Sequence, residues 1–83
     1  MIVNVTQDDI ANGTPNSGKT CPIARAIKRE RPDLFYVFVG RTHVALGDKR
    51  YELPPKAMAF ISTFDCNYGT FRPEPFTFEM ETS

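Results

Sequence analysis

The stretch from Leu34 to Leu53 constrains this chain more than any other. Leu34-Phe35-Tyr36-Val37-Phe38-Val39 is dense in aromatic and β-branched residues, the composition of a strand. Gly40-Arg41 and Gly47-Asp48 follow, each with Gly first in a two-residue loop, as a type II′ hairpin turn requires. The pattern predicts a three-stranded antiparallel meander. Its turns set a register, with Val37 opposite Val44 and Tyr51, and Val39 opposite Thr42 and Leu53. That side, with Phe35 and Leu46, is the expected core face. The other face carries Tyr36, Phe38, His43, Ala45, Arg50 and Glu52. Two large aromatics on a face that should meet water need a cover or a partner. Internal cover is the expectation, because exposed apolar patches on small monomers stay small.

The flanking segments read as follows. Met1 to Val5 is an apolar, β-branched strand. Thr6 with Asp9 at the third helical position forms a capping signal that opens a short turn of helix through Ala11, and Asn12-Gly13 ends it. Pro22 to Glu30 places Ile23, Ala26 and Ile27 on one helical face, with Thr20 or Cys21 as the cap. Arg31-Pro32 stops that helix, because a residue before Pro avoids helical geometry. A second helix opens near Pro54-Pro55, carries Ala57, Met58, Ile61 and Phe64 on its core stripe, and ends at Asn67-Tyr68-Gly69. Pro75 to Met80 alternates apolar and polar residues, as a last strand would when added to a sheet edge, with the N-terminal strand a candidate neighbour. The expected fold is α+β, with residues 1–83 in a single domain. A small antiparallel sheet, the meander at 34–53 plus terminal strands, is packed by two helices at about 22–31 and 55–66.

One run announces chemistry. Gly13-Thr14-Pro15-Asn16-Ser17-Gly18-Lys19-Thr20 fits the phosphate-binding pattern G-x-x-x-x-G-K-[ST], in which backbone N–H groups cradle phosphate and the Thr hydroxyl holds Mg²⁺. Gly13, Gly18, Lys19 and Thr20 are therefore candidate nucleotide-binding residues. Their context argues against that role. A phosphate loop follows a strand and opens a helix, whereas here a capped turn precedes the loop and Pro22 delays the helix beyond Lys19 and Thr20. No strand ends in an Asp for Mg²⁺, since Phe60 to Asp65 reads as helix. The chain is also short for the βαβ units that surround such loops.

The charged residues, 10 basic and 10 acidic, cancel, so the whole molecule makes no electrostatic case for nucleic acid. Locally, Lys19, Arg25, Lys28, Arg29 and Arg31 form a basic cluster that suits phosphate or an acidic partner. The plainer alternative is a solvated helix face, or neutralisation by the tail acids Glu74, Glu79 and Glu81. His43, the single histidine, has no nucleophile beside it in sequence. Asp8-Asp9 is accounted for by capping. Cys21 at a helix start beside Lys19 should have a lowered pKa. Cys21 and Cys66 fit reduced thiols in a cytoplasmic protein. No metal site, cofactor or catalytic set is expected, nor any signal peptide or membrane span.

The early T-x-x-D-I-x-x-G from Thr6 to Gly13 is followed by C-P-I-A-x-A-I-x-R from Cys21 to Arg29. Y-x-L-P-x-x-A-x-x-F-I-x-x-F-D runs from Tyr51 to Asp65, and P-F-x-F closes at Phe78. In these motifs, which span most of its length, the chain resembles a group of short uncharacterised proteins of bacteriophages and actinobacteria. The resemblance implies a phage or mobile-element setting and carries no activity with it. The leading expectation is a non-enzymatic protein, monomeric or a small homo-oligomer, that binds a host macromolecule and antagonises a bacterial defence system. A host protein is the first candidate partner. The contact residues would be Lys19, Arg25, Lys28, Arg29, Arg31, Tyr36, Phe38 and Arg50. The alternative is a nucleic-acid-binding module that stacks bases on Tyr36 and Phe38. Nucleotide binding through the Gly13 to Thr20 run is the third reading.

Overall fold

A computed structural model describes residues 1–66 and 73–80. The elements run β1 (Ile2–Val5), α1 (Gln7–Asn12), α2 (Pro22–Glu30), β2 (Val37–Val39), β3 (His43–Leu46), β4 (Lys49–Glu52), α3 (Pro55–Cys66) and β5 (Phe76–Glu79). The fold is α+β. The terminal strands do pair with each other, antiparallel from Ile2 opposite Glu79 to Val5 opposite Phe76. They form their own two-stranded sheet, whereas the expectation had them extending the meander β2-β3-β4.

Local chemistry explains where each helix begins and ends. Thr6 accepts a hydrogen bond from the Asp9 backbone N–H, and the Asp9 carboxylate accepts one from the Thr6 N–H, closing a capping box on α1. Cys21 caps α2, its Sγ accepting from the Ala24 N–H, and Pro22 supplies the first helical residue without losing a bond. Arg31, just before Pro32, leaves helical geometry at φ −131° and ψ 70°. The Asn67-Tyr68-Gly69 stop of α3 lies outside the described residues.

α2 packs its Ile23, Ala26 and Ile27 stripe against β1, α1 and β2. Val3, Val5, Val39, Val44, Leu46, Leu53, Ala57, Ile61, Phe64 and Phe78 complete the core. The rings of Phe64, Phe60, Phe76 and Phe78 adjoin in that order, with centroids 4.8 to 5.9 Å apart, and join α3 to the terminal sheet.

The second hairpin has the expected register, with Val44 opposite Tyr51 and Gly47 alone at positive φ (+65°), as a type II′ turn demands. The first does not. Gly40 pairs with His43, so the loop is Arg41-Thr42, and Val37 faces Leu46 where Val44 was expected. A loop shifted by one residue moves each partner by two. Parity is kept, so Val37, Val39, Val44 and Leu46 still face the core. Phe35 is a correction of a different kind. The strand starts only at Val37, and Phe35 is 83% exposed.

Candidate binding surface

The glycine-rich run is a docking loop between β2 and α3. The Val39 N–H donates to the Gly18 carbonyl at 2.8 Å, which fastens the loop to the outer edge of β2. At its other side the Asn16 N–H donates to the Asp65 carboxylate at 2.9 Å. Asn16 sits at φ +59°, a left-handed conformation that Asn tolerates better than most residues. Both glycines of the motif are explained by close packing. A Cβ on Gly18 would lie 2.8 Å from both the Phe38 ring and the Val39 carbonyl oxygen. One on Gly13 would lie 2.5 Å from Pro22 Cδ and 2.7 Å from the Asp9 carbonyl.

Several backbone donors of the loop are engaged within the fold. Thr14 N–H donates to the Thr20 carbonyl, and Cys21 N–H to that of Ser17. The Thr20 hydroxyl donates to Ser17 Oγ at 2.7 Å. Lys19 lies outside α2, its ammonium 5.9 Å from the centre of the Tyr36 ring. A helix precedes the loop, and both sheets are antiparallel. The arrangement that gives G-x-x-x-x-G-K-T its chemistry is not built here.

The basic cluster divides into two sets. Arg29 holds the buried Asp9 carboxylate with two hydrogen bonds and also reaches the Asn4 carbonyl. Arg25 lies 3.5 Å from Asp8 and 3.9 Å from Asp9, and Arg31 is forked onto Asp33. Among the described residues, neutralisation is thus made by Asp8, Asp9 and Asp33 and not by Glu74 or Glu79; Glu81, also expected to take part, lies outside the described residues. Burial alone would push the Asp9 carboxyl up, but the bonds from Arg29 and Thr6 outweigh it and hold it below its ordinary value. Lys28 donates to the Lys19 carbonyl at 2.8 Å. Among the described residues, Lys28, Lys49 and Lys56 have no carboxylate partner, and neither do three further cations, Lys19, Arg41 and Arg50.

Those last three cations border the aromatic face, and that face is only partly covered, by Gly18 against the Phe38 ring. Tyr36 and Phe38 are 40% and 41% exposed, their rings nearly parallel at 6° and 6.4 Å apart. The final strand pairs with β1 and does not cross this face. Phe38, Ala45 and Arg50 lie in one cross-strand row, so a small residue separates ring from guanidinium. A shallow basin of about 340 Å³ results, floored by Gly40 and Ala45 and walled by Phe38, Arg41, His43 and Arg50. His43 Nδ1 shares a hydrogen bond with the Thr42 hydroxyl at 2.9 Å.

Cys21 corrects a further expectation. Burial pushes its thiol up, and the Asp65 carboxylate adds to the rise, so proximity to a helix start does not activate it. The thiol adjoins a cleft of about 200 Å³ between the docking loop, β2 and α3. No group of three metal-ligating side chains and no helix long and apolar enough to cross a membrane occurs among the described residues.

No family model, curated protein or solved structure matches this chain. The surface therefore has to be read from its own chemistry. Of the residues expected to meet a partner, Lys19, Tyr36, Phe38 and Arg50 share one face, whereas Arg25, Arg29 and Arg31 are held in ion pairs. Sequence reasoning missed Arg41, whose position beside the basin follows from the shifted first hairpin loop.

Proposed function

We propose that this chain is a small, non-enzymatic binding protein of a phage or mobile element, acting in the bacterial cytoplasm on a host macromolecule. Disabling a defence component is the role such binding would serve. The observation that carries the reading is the exposed Tyr36/Phe38 pair, since large aromatics left in water on a small domain mark an interaction surface. Aromatic and Arg side chains together are the residue types that dominate binding energy at interfaces.

The test is affinity capture from host lysate with the wild type and a Tyr36→Leu/Phe38→Leu double variant, which keeps apolar bulk. The wild type should retain a partner that the double variant loses. Equal recovery by the two proteins, or none by either, would sink the reading. Charge reversal at Arg25 or Arg29 is unsuitable, because both residues support the fold through Asp9.

A further inference from the structure

We infer that the macromolecule this face accepts is single-stranded nucleic acid. The inference rests on the binding role proposed above and names its partner. Its starting point is how the structure sorts charge. The molecule is neutral as a whole, but the arginines of the helix side are paired with carboxylates, whereas Lys19, Arg41 and Arg50 are not. Those three cations, unlike the equally unpaired Lys28, Lys49 and Lys56, flank the exposed rings: Lys19 over Tyr36, Arg41 and Arg50 around the Phe38 basin. Glu52, opposite His43 in the register, is the acid of the meander's solvent face.

Single strands are bound by this combination, with bases stacking on aromatic faces while nearby cations take the phosphates. Tyr36, just before β2, and Phe38, within it, are two residues apart, and their 6.4 Å separation is about twice the ~3.4 Å rise per nucleotide. Each ring can therefore take a base of one extended strand. Gly40 and Ala45 keep the basin shallow enough for a planar base to reach the Phe38 ring and leave its phosphate against Arg41 or Arg50. A duplex hides its base faces in the stack and could meet only the cations. The expected preference is for single strands, with little dependence on sequence because every base has a π-face.

The test is fluorescence anisotropy of a labelled twelve-nucleotide oligo(dT), with the same sequence as a duplex for comparison. With three phosphates neutralised at a slope of about −0.7 each, affinity should fall roughly 100-fold between about 20 and 200 mM salt. Tyr36→Leu and Phe38→Leu should each weaken binding about tenfold or more. Arg41→Gln/Arg50→Gln, a surface change that spares the core, should flatten the salt dependence. Three results would overturn the inference: no binding at about 100 μM protein in low salt, affinity unchanged by the Leu variants, or equal affinity for duplex. Capture from nuclease-treated lysate separates the two levels of the argument. A protein lost by the Tyr36→Leu/Phe38→Leu variant, with oligo(dT) unbound, would keep the binding face and reject nucleic acid as its partner.

Discussion

Arg29 and Asp9, 20 residues apart in the chain, meet as a two-pronged ion pair, Nη1 to Oδ1 at 2.6 Å and Nη2 to Oδ2 at 2.9 Å. Asp9 is 1% exposed and also completes the capping box of α1, so one carboxylate closes a helix start and ties α1 to α2. Removing its cation would leave a buried charge uncompensated. Arg29→Met should cost about 3 kcal/mol, the low end for breaking a buried pair because the guanidinium itself is half exposed. Urea denaturation measures it, and a loss below about 1 kcal/mol would show that water replaces the guanidinium.

The same pair predicts how stability responds to acid. The folded Asp9 carboxyl sits below its ordinary value, so the unfolded state binds more protons in the acid range. Its contribution is complete above about pH 4, the ordinary Asp range, and drains away as pH falls through the lower folded value. Wild type and Asp9→Asn should therefore differ most at neutral pH and converge as pH falls below the ordinary Asp range. Parallel stability curves across that range would contradict this account.

Gly18→Ala should destabilise by about 1–3 kcal/mol, the usual cost of overpacking, because the new methyl would meet both the Phe38 ring and the Val39 carbonyl. Phe38→Ala in the same chain should recover part of that loss, since the ring is one of the two obstacles and the carbonyl remains. Thermal melting of the two variants checks the order. Full recovery would mean that the backbone contact is soft.

Mg-ATP and Mg-GTP should leave the melting temperature unchanged. A ligand at about 100 times its Kd adds roughly 2.7 kcal/mol, which a melting curve would register as a clear rise. Such a rise, abolished by Lys19→Ala, would restore the phosphate-loop reading.

Cys66 should react with a thiol reagent in the native protein, while Cys21 should react only after denaturation. Cys66 is exposed, whereas Cys21 is buried, with its thiol pushed up. Two thiols titrating together under native conditions would show that the Cys21 cleft opens readily.

Most of the elements could be read from the chain, because their signals are local. Thr6 and Asp9 announce α1, Pro22 announces α2, and Gly47 fixes its turn. The faces of the meander were also legible, since a loop misplaced by one residue preserves the alternation. What could not be read depends on distant partners. Asp9 looks like a cap and Arg29 like a surface charge until α1 and α2 pack and bring them together. Phe35 has every local mark of a strand residue, yet the Arg31–Asp33 fork and Pro32 hold the chain in a turn just before it. The exposure of Tyr36 and Phe38 was hidden for the same reason, because it depends on where the last strand goes.

The pairing of β1 with β5 has a consequence for how the protein is made. Val3 and Val5 leave the ribosome more than 70 positions before the strand that lies opposite them. Neither strand can be satisfied while the stretch between them is still being translated. The meander and α2 are built from nearer contacts and can organise first. The closing sheet thus acts as a completion signal: a chain cut short before Phe76 would keep much of its middle but leave β1 as an open apolar edge, the kind of feature that quality-control proteases and aggregation both find.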